Sequence, residues 1–182
     1  MRSFQLLVGV VLLLCPAAKA ETIFVGVDDY LENIVEEAND GDVLVLEAGD
    51  HVMSGWPGGY QIVISGITLT IRGAVASDGS PASGITNGQT DSIIRCLSGA
   101  NVLLENLDIH HGEAIGTADR GGALYISSSS VTMRNCTIRS NRASDYGGGV
   151  YCTSSTLLAD NCEFRSNSAW THTWNDLGRG GA

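Results

Sequence analysis

Apolar and polar side chains alternate along most of the chain beyond residue 42. The segments GDVLVLEAGDH (41–51) and IVISGITLTIRG (62–73) show this most clearly, and Gly, Ser or Asn interrupts the alternation every few residues. Alternation with a period of two is typical of a β-strand that buries one face. The chain is therefore predicted to consist mainly of short strands.

One segment near the N-terminus has a helical period instead. Its apolar residues between Val27 and Asp40 are Tyr30, Leu31, Ile34, Val35 and Ala38. This spacing predicts a short helix that Asp28 or Asp29 caps and that Asn39-Asp40-Gly41 ends. A second exception is the segment 74–89, which is rich in Gly, Ser, Ala and Asn and is predicted to be a projecting loop.

The chain contains an internal repeat. GGALYISSSSVTMRNCTIRSN (121–141) aligns without gaps with GGGVYCTSSTLLADNCEFRSN (147–167), and ten of their 21 positions are identical. A weaker copy, NLDIHHG (106–112), aligns with NCTIRSN (135–141). The interval between copies is in the range that indicates a solenoid, in which each copy is one coil stacked on the next.

The alternation within each copy predicts which side chains face the interior of a coil. The inward residues are Leu124, Ile126, Cys136, Ile138, Val150, Cys152, Cys162 and Phe164. The outward residues include Tyr125, Thr137, Arg139, Tyr151, Glu163 and Arg165. Corners are assigned to Asn135, Asn161, Asn141 and Asn167, because Asn tolerates the left-handed conformation, and to the Gly pairs 121–122 and 147–148.

The first twenty residues have the features of a secretory signal. Arg2 precedes an apolar run, Leu6 to Leu14, that is too short for a membrane span, and Ala18-Lys19-Ala20 fits a cleavage site. We therefore assign residues 1–20 to the signal, 21–41 to an N-terminal strand and cap helix, and 42–182 to the coils. Since the terminal GGA (180–182) opens a further coil, we expect the native chain to continue.

The net negative charge and the predicted secretory signal exclude some classes of function. The net charge of the whole chain is −10, and removal of the signal makes it −12. An acidic chain without a basic cluster is not expected to bind nucleic acid. We expect a secreted or cell-surface protein with no membrane span after signal cleavage.

These patterns resemble known families. The short helix followed by GDVLVLEAGDH and ITLTIRG resembles the N-terminal cap and first coils of right-handed parallel β-helix proteins of the pectin-lyase-like class. GGALY, GGGVY, the terminal GGA, FRSN and IRSN resemble the repeats of polymorphic outer-membrane proteins. The resemblance implies an all-β, right-handed parallel β-helix with an N-terminal capping helix.

One cluster of residues could carry acid–base chemistry. DIHHGE (108–113) places Asp108, His110 and His111 together, and a carboxylate beside imidazoles can move protons. The alternative is an ordinary solvent-facing coil surface, since Asp108 and His110 align with outward positions. No clustered Asp with a paired Arg, no mature Lys, and neither the NTD nor the GHG segment of the related hydrolases is found, and the doublet Asp28-Asp29 lies on the predicted cap helix. We expect no metal and no cofactor.

Two outward ladders are candidate binding surfaces. Tyr125 over Tyr151 forms an aromatic strip that could stack on sugar rings, and Arg139 over Arg165 could meet an anion. The alternative for both ladders is a structural stack or a solvated face. Cys136 and Cys162 are predicted to lie in register on adjacent coils, as buried thiols or as a disulfide.

The sequence therefore supports three functional hypotheses. The first is a secreted or surface β-helix protein for adhesion or recognition of a glycan or a host or cell-surface protein, without catalysis. The alternative is a polysaccharide lyase or hydrolase of the pectin-lyase-like class. The third is a purely structural exported protein.

Overall fold

The computed structural model describes residues 19–53, 61–86, 91–115 and 120–170. In these ranges it contains one helix, α1 (Leu31–Glu37), and the following strands. They are β1 (Thr22–Val25), β2 (Val43–Leu46), β3 (Gly49–Val52), β4 (Ile62–Ser65), β5 (Thr68–Arg72), β6 (Ser83–Thr86), β7 (Ile94–Leu97), β8 (Asn101–Glu105), β9 (Leu107–His110), β10 (Glu113–Ala114), β11 (Leu124–Ser127), β12 (Ser130–Arg134), β13 (Thr137–Arg139), β14 (Arg142–Ala143), β15 (Val150–Thr153), β16 (Thr156–Asp160), β17 (Glu163–Arg165) and β18 (Ser168–Ala169). The predicted signal up to residue 18 and the terminal GGA lie outside the described ranges.

The strands form four parallel sheets that run along the length of a solenoid. The sheets have the orders β1-β2-β5-β8-β12-β16, β4-β7-β11-β15, β3-β6-β9-β13-β17 and β10-β14-β18. Each of the last three described coils contributes one strand to each sheet in turn, as β7, β8, β9 and β10 do before β11 starts the next coil, whereas the earlier described coils have no strand in the sheet β10-β14-β18. This arrangement confirms the predicted parallel β-helix.

The register confirms both alignments of the repeat. Tyr125 pairs with Tyr151 and Ile138 with Phe164, as the alignment of the two clear copies predicts. Ile138 also pairs with Ile109, its counterpart in the weaker copy. Equivalent side chains therefore stand directly above one another at the spacing of adjacent strands, about 4.8 Å.

The core is a set of aliphatic ladders inside the coils. One ladder stacks Ile62, Ile94 and Leu124, and all three side chains are fully buried. Other fully buried positions include Leu69, Ile71, Leu104, Leu107, Ile109, Ile126 and Ile138. Burial of one such side chain contributes about 1.5–3 kcal/mol, so stacking stabilises coils that could not bury their apolar face alone.

The N-terminal helix is shorter than the pattern predicts. It begins at Leu31, and Tyr30 at its N-cap makes no side-chain capping bond. Asp29 does not cap the helix, because its Oδ2 accepts a hydrogen bond from the Gly26 N–H at 2.7 Å. Buried Leu31 and Val35 pack the helix onto the core.

Within the described part of the predicted loop, residues 74–86, only the first part is a loop, so this prediction is wrong in part, and residues 87–89 lie outside the described ranges. Residues 83–86 form β6, which pairs with β3 and β9. Ile85 fills the core, although only one aliphatic residue marks this strand. The part that precedes β6 turns back on itself through an antiparallel bridge between Val75 and Pro81.

Asparagines join the coils at two corners. At the first, Asn106, Asn135 and Asn161 have positive φ, as predicted for the last two. Asn135 Nδ2 donates to Asn106 Oδ1 at 2.9 Å, and Asn161 Nδ2 donates to Asn135 Oδ1 at 3.1 Å. These bonds link three successive coils through side chains alone.

The second corner differs from its prediction. The left-handed residues are His111, Ser140 and Ser166, not Asn141 and Asn167 that follow the serines. Asn141 and Asn167 are buried instead and bond the backbone inside the turn. Asn141 Oδ1 accepts from the Gly112 N–H at 2.8 Å, and its Nδ2 donates to the Ile109 carbonyl at 3.1 Å.

The glycine pairs serve as predicted. Gly121 and Gly147 have φ of +70° and +61°, which favours glycine. A Cβ on Gly122 would overlap the carbonyl of Gly148 in the next coil. The pairs therefore allow successive coils to approach closely at this corner.

Inward residues of the last described coil are less buried than predicted. Cys152 lies in register with buried Ile126 but is exposed, and Phe164 is 36% exposed. Cys136 is a buried free thiol and Cys162 a half-buried one. The structure thus has no disulfide between them.

Replacing Asn141 with alanine is expected to lower the free energy of unfolding by about 2–3 kcal/mol, because it leaves buried backbone groups without partners. Urea unfolding followed by circular dichroism measures the loss. The matched control is Asn101→Ala on an exposed strand position, which should cost less than about 0.5 kcal/mol. Equal losses in the two variants would contradict the structural role of Asn141.

The thiols should differ in reactivity. Burial raises the pKa of Cys96 to about 12 and is also the main cause of the pKa of about 12 at Cys136. A thiol reagent at pH 8 should label Cys152 within minutes, and Cys96 and Cys136 only after unfolding, as mass spectrometry can measure. Above about pH 9 the unfolded chain loses thiol protons that the native chain retains, so stability should fall as pH rises.

Candidate functional site

The outer face of sheet β3-β6-β9-β13-β17, here called the histidine flank, carries two ladders of outward positions. The first consists of Asp50, Gly84, Asp108, Thr137 and Glu163, in coil order. The second consists of Val52, Thr86, His110, Arg139 and Arg165. The register therefore brings together residues from distant parts of the chain.

His110 is the centre of a hydrogen-bonded chain on this flank. Its Nε2 lies 3.2 Å from Asp50 Oδ1, although the two residues are far apart in sequence. Its Nδ1 lies 2.7 Å from Nδ1 of His111, and the two rings meet edge to face. The prediction that His110 is solvent-facing is wrong, because Asp50 and His111 flank it and only 4% of the residue is exposed.

Gly84 makes the contact between Asp50 and His110 possible. It stands between them in the sheet, on the strand β6 that separates β3 from β9. A Cβ at Gly84 would overlap the Asp50 carboxylate and lie 3.1 Å from His110 Nε2. Its φ is not positive, so it is the space, not the backbone conformation, that requires glycine here.

Asp108 belongs to a different interaction. Its two carboxylate oxygens accept from Arg139 Nε at 3.0 and 2.9 Å, and Arg139 Nη2 lies 2.7 Å from Oδ2. The predicted trio is therefore divided: His110 and His111 bond each other, while Asp108 holds Arg139. The carboxylate that bonds the histidines is Asp50, which the sequence analysis did not select.

Arg139 and Arg165 lie in register, as predicted. Each of them has an acidic partner, since Arg165 Nε lies 3.4 Å from Glu163 Oε2. The charges of both arginines are thus neutralised by carboxylates of the protein itself, that of Arg139 by Asp108 and that of Arg165 by Glu163.

The outer face of sheet β4-β7-β11-β15, here called the tyrosine flank, carries the aromatic ladder. The Tyr125 and Tyr151 rings stack with centroids 5.6 Å apart and planes inclined by 20°. Arg95, one coil before Tyr125, lies over the Tyr125 ring with Cζ 4.9 Å from its centroid. Because neighbours cover both faces of the Tyr125 ring, its edge and hydroxyl are the parts that a ligand can meet.

Arg120 ties a third tyrosine to this ladder. Its Cζ lies 5.1 Å from the ring centroid of Tyr146 and 5.0 Å from that of Tyr151. Its Nη1 donates to Tyr151 Oη at 3.0 Å, and its Nε lies 3.3 Å from Asp145 Oδ2. Desolvation opposes the charge of Arg120, but Tyr151 and Asp145 favour it, so the pKa of the guanidinium is raised.

Arg95 differs from the other arginines within the described residues, because it has no carboxylate partner there. Its Nη1 donates to Gln61 Oε1 at 3.3 Å, and its buried Nε has no hydrogen-bond partner in that part of the chain. The tyrosine flank therefore carries a positive charge with which no carboxylate of the described residues pairs directly.

No group of three or more His, Cys, Asp or Glu side chains among the described residues could hold a metal ion. The absence of a metal and of a cofactor stays a prediction. In the same ranges no helix is long and apolar enough to cross a bilayer.

Comparison with known proteins agrees with the geometry. Residues 32–178 match the model of a family described as the right-handed β-helix region. The chain belongs to the right-handed β-helix family. No curated protein matches the chain in sequence. The resemblance of its repeats to those of polymorphic outer-membrane proteins stays a prediction.

The ion pair between Asp108 and Arg139 can be tested by a double-mutant cycle with Asp108→Asn and Arg139→Gln. Its bidentate, half-buried geometry should give a coupling free energy of about 1 kcal/mol in urea unfolding. The same cycle on the exposed pair of Glu163 and Arg165 is the control and should give about 0.3 kcal/mol or less. A coupling near zero for Asp108 and Arg139 would contradict the assignment of Asp108 to this pair.

Proposed function

We propose that this right-handed β-helix protein is exported and recognises a polysaccharide through the tyrosine flank. The observation that carries the proposal is the continuous cluster of Arg95, Tyr125, Tyr151, Arg120 and Tyr146 on one outer face. Tyr and Arg are the residues most enriched where proteins bind partners, since they combine large contact area with hydrogen-bonding groups. Export rests on the signal-like residues 1–20.

The shape of the cluster favours an extended ligand. Val63, Arg95, Tyr125 and Tyr151 stand in register on four successive coils, which gives a row about 14 Å long at strand spacing. A linear polymer can lie along such a row and contact several coils at once. A globular cell-surface protein is the alternative occupant, and the test below distinguishes it.

The chemistry of the cluster favours hydrogen bonding over ring stacking. Tyr125 Oη has no hydrogen-bond partner among the described residues, so it can bond a sugar hydroxyl. Arg95 can pair with a carboxylate or sulfate group on the polymer, since no described carboxylate pairs with it. The proposed ligand is therefore an acidic polysaccharide.

The proposal is tested with the secreted domain on an array of acidic and neutral glycans, followed by calorimetry on the best ligand. Tyr125→Phe removes only the hydroxyl and should weaken binding by about 3- to 10-fold. Arg95→Gln should weaken binding more and remove most of its salt dependence.

The matched control is Arg134→Gln, which changes an exposed arginine on another sheet and should leave affinity unchanged. Glycan binding that neither Tyr125→Phe nor Arg95→Gln alters would refute the tyrosine flank as the site. Binding to a cell-surface protein but to no glycan would refute the polysaccharide as the ligand.

The alternative function, a polysaccharide lyase or hydrolase, is favoured by one observation, the bonded pair of histidines on the other flank. Incubation with polyuronides distinguishes the two functions. New unsaturated or reducing ends that disappear in a His111→Asn variant would support the enzyme, and unchanged polymer would support recognition.

A further inference from the structure

We propose that Asp50, His110 and His111 form a proton relay that makes His111 a general base for ester hydrolysis on the histidine flank. This inference goes beyond the proposed function and does not depend on it. His111 is the catalytic residue, because it is the exposed member of the histidine pair. Asp50 and His110 are positioning residues that act through it.

The hydrogen bonds determine where the protons lie. The Asp50 carboxylate can only accept, so His110 Nε2, 3.2 Å from it, carries a proton and donates. In the neutral ring the other nitrogen of His110, Nδ1, is then an acceptor. Since His111 Nδ1 lies 2.7 Å away, it must be the donor of that bond. This tautomer leaves the lone pair of His111 Nε2 free, with no partner among the described residues.

The same hydrogen bonds allow a positive charge to move from the exposed His111 to the buried His110. When His111 Nε2 takes up a proton, its Nδ1 proton can move to Nδ1 of His110. The positive charge then rests on His110, beside the Asp50 carboxylate that stabilises it. The other charged groups on this part of the flank, Asp108 and Arg139, neutralise each other.

The glycine at position 84 leaves the space in the sheet that the contact between Asp50 and His110 requires. A glycine inside a strand costs about 0.5–1 kcal/mol relative to alanine and packs no side chain. Gly84 nevertheless stands between Asp50 and His110, where any larger residue would displace the Asp50 carboxylate. A merely solvated face would not need this gap, so the gap indicates that the contact has a role.

The groups around His111 determine the nucleophile of the proposed reaction. No Ser or Cys side chain bonds His111 among the described residues, so the nucleophile is water. His111 Nε2 removes a proton from water as the water oxygen bonds to the ester carbonyl carbon. As the carbonyl re-forms, the bond to the alkoxy oxygen breaks, and the alkoxide takes the proton back from His111 Nε2. The relay returns to its initial state, and one water and one ester become an acid and an alcohol.

The open flank indicates the substrate class. The histidine pair lies on an outer sheet face, so an ester substituent on a polymer chain could reach it without entering a cavity. We therefore expect a carbohydrate that carries ester groups, and a small activated ester serves as the probe.

The test measures hydrolysis of p-nitrophenyl acetate by the secreted domain between pH 5 and 9. His111→Asn keeps a residue that tolerates the positive φ of this position and should lower the rate by at least about 100-fold. Asp50→Asn should lower the rate about tenfold and move the midpoint of the pH profile downward, since the carboxylate no longer stabilises the protonated relay. A role of Asp50 limited to folding would not move that midpoint.

Gly84→Ala should reproduce the effect of Asp50→Asn, because the new methyl group displaces the carboxylate. Glu163→Gln, on the same ladder but away from the histidines, is the control and should leave rate and pH profile unchanged. Should Gly84→Ala fail to fold, Asp50→Asn still decides the positioning role.

Nitrogen NMR of the histidine rings gives a readout that is independent of activity. The proposal requires Nε2–H in His110 and Nδ1–H in His111 above the midpoint of the pH profile. A His111 ring protonated at Nε2 there would overturn the relay. Hydrolysis by His111→Asn as fast as by the native protein would overturn the catalytic role.

Discussion

Parallel backbone hydrogen bonding between successive coils is the constraint on which the rest of this structure depends. A strand in one coil satisfies its N–H and C=O groups only through the strands of the coils on either side, as β11 does with β7 and β15. These backbone hydrogen bonds fix the register of neighbouring strands, and the register determines which side chains become neighbours. The aliphatic interior, the asparagine corners and both outer flanks all follow from it.

Neighbours in this fold come from distant parts of the sequence. Tyr125 meets Tyr151 and Arg95, while Asp50 reaches across a whole coil to His110. On each flank a binding surface can therefore be formed by residues of several coils, and this surface does not need a pocket. Such a surface suits a long, linear ligand, which is the physical basis for proposing that a polysaccharide is recognised on the tyrosine flank and, independently, that a carbohydrate ester meets the histidine flank.

The sequence predicts the repeating part of this architecture well, but most of the candidate site lies outside that part. The alignment of the two clear copies is enough to place Tyr125 over Tyr151, because equivalent residues of a repeat occupy equivalent places in a solenoid. Asp50 and Gly84 belong to coils outside the clear repeat, so no alignment placed them beside His110. The glycine in β6 was the signal available, but glycine in a polar segment is far more typical of a turn. Arg95 was missed because a lone arginine in a strand pattern indicates only an outward position.

The most direct test of the coil stacking is the proximity of two tyrosine rings that occupy equivalent positions in the repeat. In a protein with ring-labelled tyrosine, assigned through single Tyr→Phe variants, nuclear Overhauser effects between Tyr125 and Tyr151 report that distance. The structure predicts clear cross-peaks, since the ring centroids lie 5.6 Å apart. Well-resolved resonances without cross-peaks between these two rings would contradict the β-helix register and, with it, the account of both flanks.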